Sequence, residues 1–167
     1  EPMAELSAFA LYVLAQKARE HVTVCLSGEG GDEALAGYDR FRASKAHQAS
    51  ALLPAWLRRR VVAPMVARLP DRAAKKGAIN ILKRWIEGGL LPDDGAHMRW
   101  QYFCPPQIES RLYGDAVRDE ISFDPFAPVR DVLARCHSRH RLDREIYLDL
   151  HLMMPDAVCS KVDRMSM

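Results

Sequence analysis

Apolar positions recur along the chain with two different rhythms. Residues 4 to 19, AELSAFALYVLAQKAR, are rich in helix formers and set Leu6, Phe9, Ala10, Val13 and Leu14 on one stripe, which predicts an amphipathic helix. His21 closes it. The next five residues, VTVCL at 22–26, are short, β-branched and apolar on both faces, a pattern that predicts a buried parallel strand. Ser27-Gly28 marks a turn, and a helix restarts near Gly31 or Asp32 and runs towards Ala36. Helix, short buried strand, glycine turn and helix is the grammar of an α/β nucleotide-binding sheet.

After Tyr38 the strand rhythm does not return. Residues 39 to 50 read as helix, and Pro54 opens another with Trp56, Leu57, Val61 and Met65 on one side. Pro64 is expected to kink or divide it. The segment 81–89 ends in Gly88-Gly89, which suits a helix stop. Leu91-Pro92-Asp93-Asp94 restarts a helix through Met98, Trp100 and Tyr102, and Pro105-Pro106 starts a short one ending near Tyr113-Gly114. Asp124-Pro125 is a break, and 127–139 and 142–153 read as the last two long helices. A lone parallel strand cannot satisfy its own backbone groups. The rest of its sheet is therefore expected N-terminal to Glu1. The opening without methionine and the ending KVDRMSM also read as interrupted, so the expectation is a piece of a longer protein.

Composition narrows the function classes. The 167 residues are 49% hydrophobic and 28% charged, enough for one ordinary domain with a core. A net charge of +2 makes no case for nucleic acid or an anionic membrane. No apolar run approaches the roughly 20 residues that span a bilayer. The four cysteines, at 25, 104, 136 and 159, form no C-x-x-C pair and fit a reducing, cytoplasmic setting.

The chemistry-bearing stretch is LSGEGGDEALAGY, residues 26–38. It mixes glycines with Glu29, Asp32 and Glu33 and holds no lysine. A dinucleotide fingerprint fails because Glu33 stands where the third glycine belongs, and no Gly-Lys-Ser/Thr follows for a phosphate loop. Asp32 and Glu33 suit the first turn of a helix, where acids complement the backbone dipole. The functional alternative is that they hold Mg²⁺, which takes one or two carboxylates plus phosphate oxygens. In that second reading the metal, or a lysine from elsewhere, replaces the missing cation.

SGEGGDEALAGYDRF closely resembles the S-G-E/D-G-x-D-E-L-F-G-G-Y-x-R-Y segment of the asparagine synthetase family. YLDLHLMMPDAVCSKVDRMSM is similar to that family's Y-L-x-x-x-L-P-D-x-L-L-x-K-x-D-R-x-S-M, and the intervening LKRW also fits. The resemblance covers essentially the whole chain. It implies a mostly α fragment with one short parallel-type strand, the C-terminal portion (1–167) of an α/β ATP-pyrophosphatase domain. The S-G-G-x-D-S pyrophosphate loop and the glutaminase domain would lie outside this sequence. The implied reaction is ATP-dependent conversion of aspartate to asparagine through β-aspartyl-AMP. Ammonia comes from glutamine, and AMP and pyrophosphate are released.

By position in the motifs, the resemblance makes Ser27 and Gly28 lining residues of the ATP site. It makes Glu29 the acid tied to formation and aminolysis of the acyl-adenylate, and Asp32 an acid on the Mg²⁺–pyrophosphate side. Tyr38 donates its hydroxyl near the adenylate. Lys161 stabilises the pentacoordinate phosphorus and so supplies the missing cation. Glu33 is left as a helix cap, and Asp163 and Arg164 as supports of the segment around Lys161. The resemblance leaves room for a homodimer and implies neither nucleic acid nor membrane as partner. Two departures stand out: Ala36 replaces a glycine of the motif, and Met154 a leucine before Pro155-Asp156.

Other signals are weaker. Cys136, His137 and His140 sit among arginines that would repel a cation, and Arg58-Arg59-Arg60 beside Trp56 reads as a solvated face. Met153, Met154, Met165 and Met167 read as core filling, and Cys25 as a buried inert thiol. Two alternatives remain at this level. One is a relative that amidates or cyclises another carboxyl, as β-lactam synthetases or polysaccharide- and peptide-cluster enzymes do. The other is a non-catalytic helical interaction module, which would leave Glu29 and Lys161 far apart.

Overall fold

The computed structural model describes residues 5–50, 53–70, 77–91, 95–101, 111–120 and 124–167. The chain divides into two compact units, residues 1–37 with 136–167, and residues 38–135.

The first unit begins with α1, Leu6–Arg19, as the periodicity predicts. Its stripe does not form a core, however: Leu6 is 97% and Phe9 75% exposed. The predicted buried strand at 22–26 is also not formed. These residues carry no regular structure, and Val24 is 79% exposed. No strand exists anywhere among the described residues, so nothing there offers the ladder of N–H and C=O groups that a strand requires. Cys25 is likewise exposed rather than buried. The glycine turn leads into α2, Gly31–Leu35, which is only five residues long.

The unit resumes after Cys136 with one unbroken helical run. It comprises α10, Arg141–Leu148, a π-helical segment, Asp149–Cys159, and α11, Ser160–Ser166. Pro155 explains the wide middle. It has no N–H to donate in either register, and in an α register its ring would crowd the carbonyl four residues back. In the π register the Ser160 N–H reaches the Pro155 carbonyl, and the Ser160 hydroxyl donates to the same oxygen at 2.9 Å. Against this run pack α1, through α11, and α2, through the π-helical segment and α10. Leu148 and Val158 are buried, but so are Glu33, Glu145 and Asp149, which makes this interior unusually acidic. Glu145 is paired with Arg141.

In the second unit α3, Asp39–Ser50, packs on α6, Ala78–Gly88, and on α7, Gly95–Met98. Phe41 lies against the buried His97, with ring centroids 4.9 Å apart. Pro64 was expected to kink or divide its helix. Instead α4, Ala55–Leu57, continues through a π-helical turn, Arg58–Val62, into α5, Ala63–Ala67. Pro64 sits in the first turn of α5, directly after the widened turn. The α6 helix stops at Gly88-Gly89 as read from sequence; a Cβ on Gly88 would sit 3.1 Å from the Ala96 Cα, so α6 and α7 approach closely there. The starts expected at Pro92 and Pro105-Pro106, and Tyr102 and Cys104, lie outside the described residues. The short helix α8, Asp115–Glu120, and α9, Ala127–Ala134, complete the unit. No helix among the described residues is long and apolar enough to cross a membrane.

Asp124 anchors the start of α9. Its carboxylate accepts the Phe126 N–H at 2.9 Å and pairs with Arg130. The Arg130 hydrogen bond, and after it the Phe126 N–H, hold the Asp124 carboxyl below the ordinary 3.8. A lowered folded-state value means that this carboxylate stabilises the fold above the ordinary value and loses that contribution as pH falls through the lowered one. A carboxyl-carbon NMR titration should place the Asp124 midpoint below 3.8, and Arg130→Ala should move it upward.

Candidate active site in the first unit

The glycine turn is shaped by two residues in left-handed conformations. Gly30, at φ +87, precedes α2, and Ala36, at φ 55, closes it. Ala36 is the only non-glycine residue with positive φ among the described residues, and it occupies the position where the motif of the family has glycine. One side of the turn is packed: a Cβ on Gly30 would lie 2.5 Å from the Met154 Cε of the π-helical segment. The other side is open, because a Cβ on Gly28 or Gly31 would meet nothing within 4 Å. The turn is thus pinned at Gly30, while at Gly28 and Gly31 its backbone has open space around it.

Glu29 projects from this turn, and its Oε2 lies 3.5 Å from the Nζ of Lys161. The two residues are separated by most of the chain, and α11 brings the lysine to the turn. Lys161 is only 7% exposed, whereas the Glu29 side chain is 38% exposed. A buried ammonium needs partners. Two more are present: Glu5 Oε1 at 3.5 Å, just before α1, and Ser7 Oγ at 3.4 Å, in its first turn. Neither was found from the sequence. An acid and a serine at a helix start read as capping residues, and no local pattern ties them to a lysine more than 150 positions away.

The remaining candidates fall as follows. Ser27 is exposed, and its hydroxyl accepts the Glu29 N–H at 3.5 Å. The Gly28 carbonyl accepts the Gly31 N–H at 3.3 Å. Asp32 is exposed in the first turn of α2, with its carboxylate laid against Gly37, where no Cβ would fit. Glu33, read as a helix cap, lies in the first turn of α2 and is only 1% exposed. Tyr38 belongs to the second unit, where the Arg40 guanidinium lies 4.0 Å over its ring. Asp163 and Arg164 are exposed on α11, which is helix where a supporting loop was expected.

Among the described residues no cluster of three or more histidine, cysteine or acidic side chains could hold a metal by itself. Asp32 is an exposed carboxylate beside the turn. Lys161 is the cation that meets the turn.

Comparison with known proteins is consistent along the whole length. The family profile described as asparagine synthase matches residues 1–167. Glutamine-hydrolyzing asparagine synthetase 1 of Bacillus subtilis is 25% identical over 173 aligned residues, which cover 100% of this chain and 25% of that protein. A Mycobacterium tuberculosis protein provisionally named as a glutamine-hydrolyzing asparagine synthetase is 28% identical over 138 residues, 79% of this chain and 21% of its own length. The chain therefore spans about a quarter of the length of the curated relatives it matches. No solved structure matches.

The strained Ala36 supplies a direct test of the turn. A left-handed L-residue costs about 1–2 kcal/mol, part of which glycine gives back through its freer unfolded chain. Ala36→Gly should therefore stabilise the fold by about 1 kcal/mol, seen as a higher urea midpoint with unchanged slope. Gly30→Ala should do the reverse, since it adds strain at φ +87.

Proposed function

The chain belongs to the asparagine synthase family, and on that premise we propose that it carries part of the active site of an ATP-dependent amide-forming ligase. The observation that carries the reading is the contact between Glu29 and the buried Lys161 at 3.5 Å. A merely capped acidic turn has no use for a lysine brought from the other end of the chain and buried against it. That weighs against a non-catalytic interaction module.

In this reading ATP enters over the open side of the turn, along Ser27 and Gly28. The substrate carboxylate attacks the α-phosphorus. A carbon-bound oxygen becomes bonded to phosphorus, and the bond to pyrophosphate breaks. Lys161 faces the negative charge that builds on the phosphoryl oxygens, where a fixed cation out of bulk water acts most strongly. Ammonia then attacks the acyl carbon, AMP leaves, and the attacking nitrogen sheds a proton. Glu29 is the carboxylate placed to accept it. Asp32 would hold Mg²⁺, which supplies charge neutralisation at the pyrophosphate. Aspartate is the acyl substrate that the family suggests, with ammonia delivered from a glutaminase elsewhere in the protein.

The test uses the full-length protein with ATP, Mg²⁺, ammonia and aspartate. Lys161→Ala should lower pyrophosphate release about a hundredfold or more. Glu29→Ala should lower amide formation, and ammonia should lose its effect on the rate. Wild-type rates in the Lys161 variant would overturn the assignment. Amide product from a different carboxylic acid, with none from aspartate, would move the protein to a relative with another acyl substrate.

A further inference from the structure

Lys161 has more counter-ions than the reaction accounts for. Its ammonium offers three N–H donors, and three oxygens surround it: Glu29 Oε2 and Glu5 Oε1 at 3.5 Å, and Ser7 Oγ at 3.4 Å. Two carboxylates against one ammonium leave the group with a net negative charge. The three contacts are long compared with the usual 2.9 Å or so for such bonds. They surround the ammonium without gripping it. Ser7 also donates its hydroxyl to Glu5 Oε1, which turns that carboxylate towards the lysine.

We propose that Glu5 is a positioning residue for Lys161, an anchor on α1 that lets the lysine serve phosphate without remaining bound to Glu29. The proposal rests on the functional reading above. A lysine side chain has a long flexible stem to hold in place, so an ammonium held only by Glu29 would either wander or stay paired with the group that must later take a proton. Glu5 removes both difficulties. It approaches from α1, an element outside the turn, and it keeps one ion pair whatever the turn does. Ser7 is the neutral partner of the three, and its contact is the one an entering phosphoryl oxygen replaces at least cost. With Lys161 shared between Glu5 and phosphate, the Glu29 carboxylate is released for the second step.

The Glu5 side chain is 46% exposed, which makes replacement mild for the fold and leaves room for a small anion. In the full-length protein, aspartate-dependent exchange of pyrophosphate into ATP reports the adenylation step alone. Glu5→Gln keeps the shape and removes the charge. It should slow exchange about ten- to a hundredfold, the scale of a slightly misplaced catalytic group, with the KM for ATP changed less than about threefold. Glu5→Ala should show the same loss, and acetate should restore part of it by occupying the vacated site. Wild-type exchange in Glu5→Gln would overturn the proposal. So would a loss in Glu5→Ala that acetate does not touch, or one that tracks loss of folded protein by circular dichroism. Lys161→Ala in the same assay separates the two levels. If it exchanges normally, the functional reading itself fails; if it is silent while Glu5→Gln is normal, only the role of Glu5 fails.

Discussion

The arrangement of the first unit depends on a single buried ammonium. Lys161 is almost fully withdrawn from water, and a charge so placed is costly unless oxygens surround it. Those oxygens come from Glu5 and Ser7 at the start of α1 and from Glu29 in the glycine turn. One electrostatic requirement therefore joins the two ends of the chain to its most glycine-rich turn. The packing of α1 on α11 and of α2 on the π-helical segment brings those groups within reach. The same requirement explains why the turn itself has no lysine: its cation arrives on a helix.

Much of this could be read from the residues. Two motif segments single out Glu29 and Lys161, and the two side chains lie 3.5 Å apart. The π-register turns follow from Pro64 and Pro155 only in part, since a proline announces trouble for an α-helix but not how the backbone resolves it. The strand at 22–26 was a sound reading of β-branched, apolar residues, yet a strand exists only with a neighbour, and none is present among the described residues. The apolar stripe of α1 is real in the same sense, but periodicity names a face without saying what covers it. Glu5 and Ser7 were out of reach altogether. Their partner lies more than 150 positions away, and nothing in five residues of local pattern encodes that.

The acids of this unit divide by solvent access. Glu29 and Asp32 face outward from the turn, whereas Glu33, next to Asp32 in sequence, is buried, as are Glu145 and Asp149. Adjacent carboxylates on a five-residue helix thus face opposite media. Asp32 is available to an incoming ligand, while Glu33 is committed to the interior, a distinction that composition cannot make.

The π-helical run between Leu148 and Ser160 acts as a ruler. Lys161 follows this segment by only two positions, so the register in which the wide run ends sets the face of α11 from which the ammonium emerges. A deletion between Pro155 and Lys161 must either tighten the run to an α register or turn the ammonium away from the turn. Within that interval Val158 is held by the interior and Ser160 by the Pro155 carbonyl, so length and letters are set together.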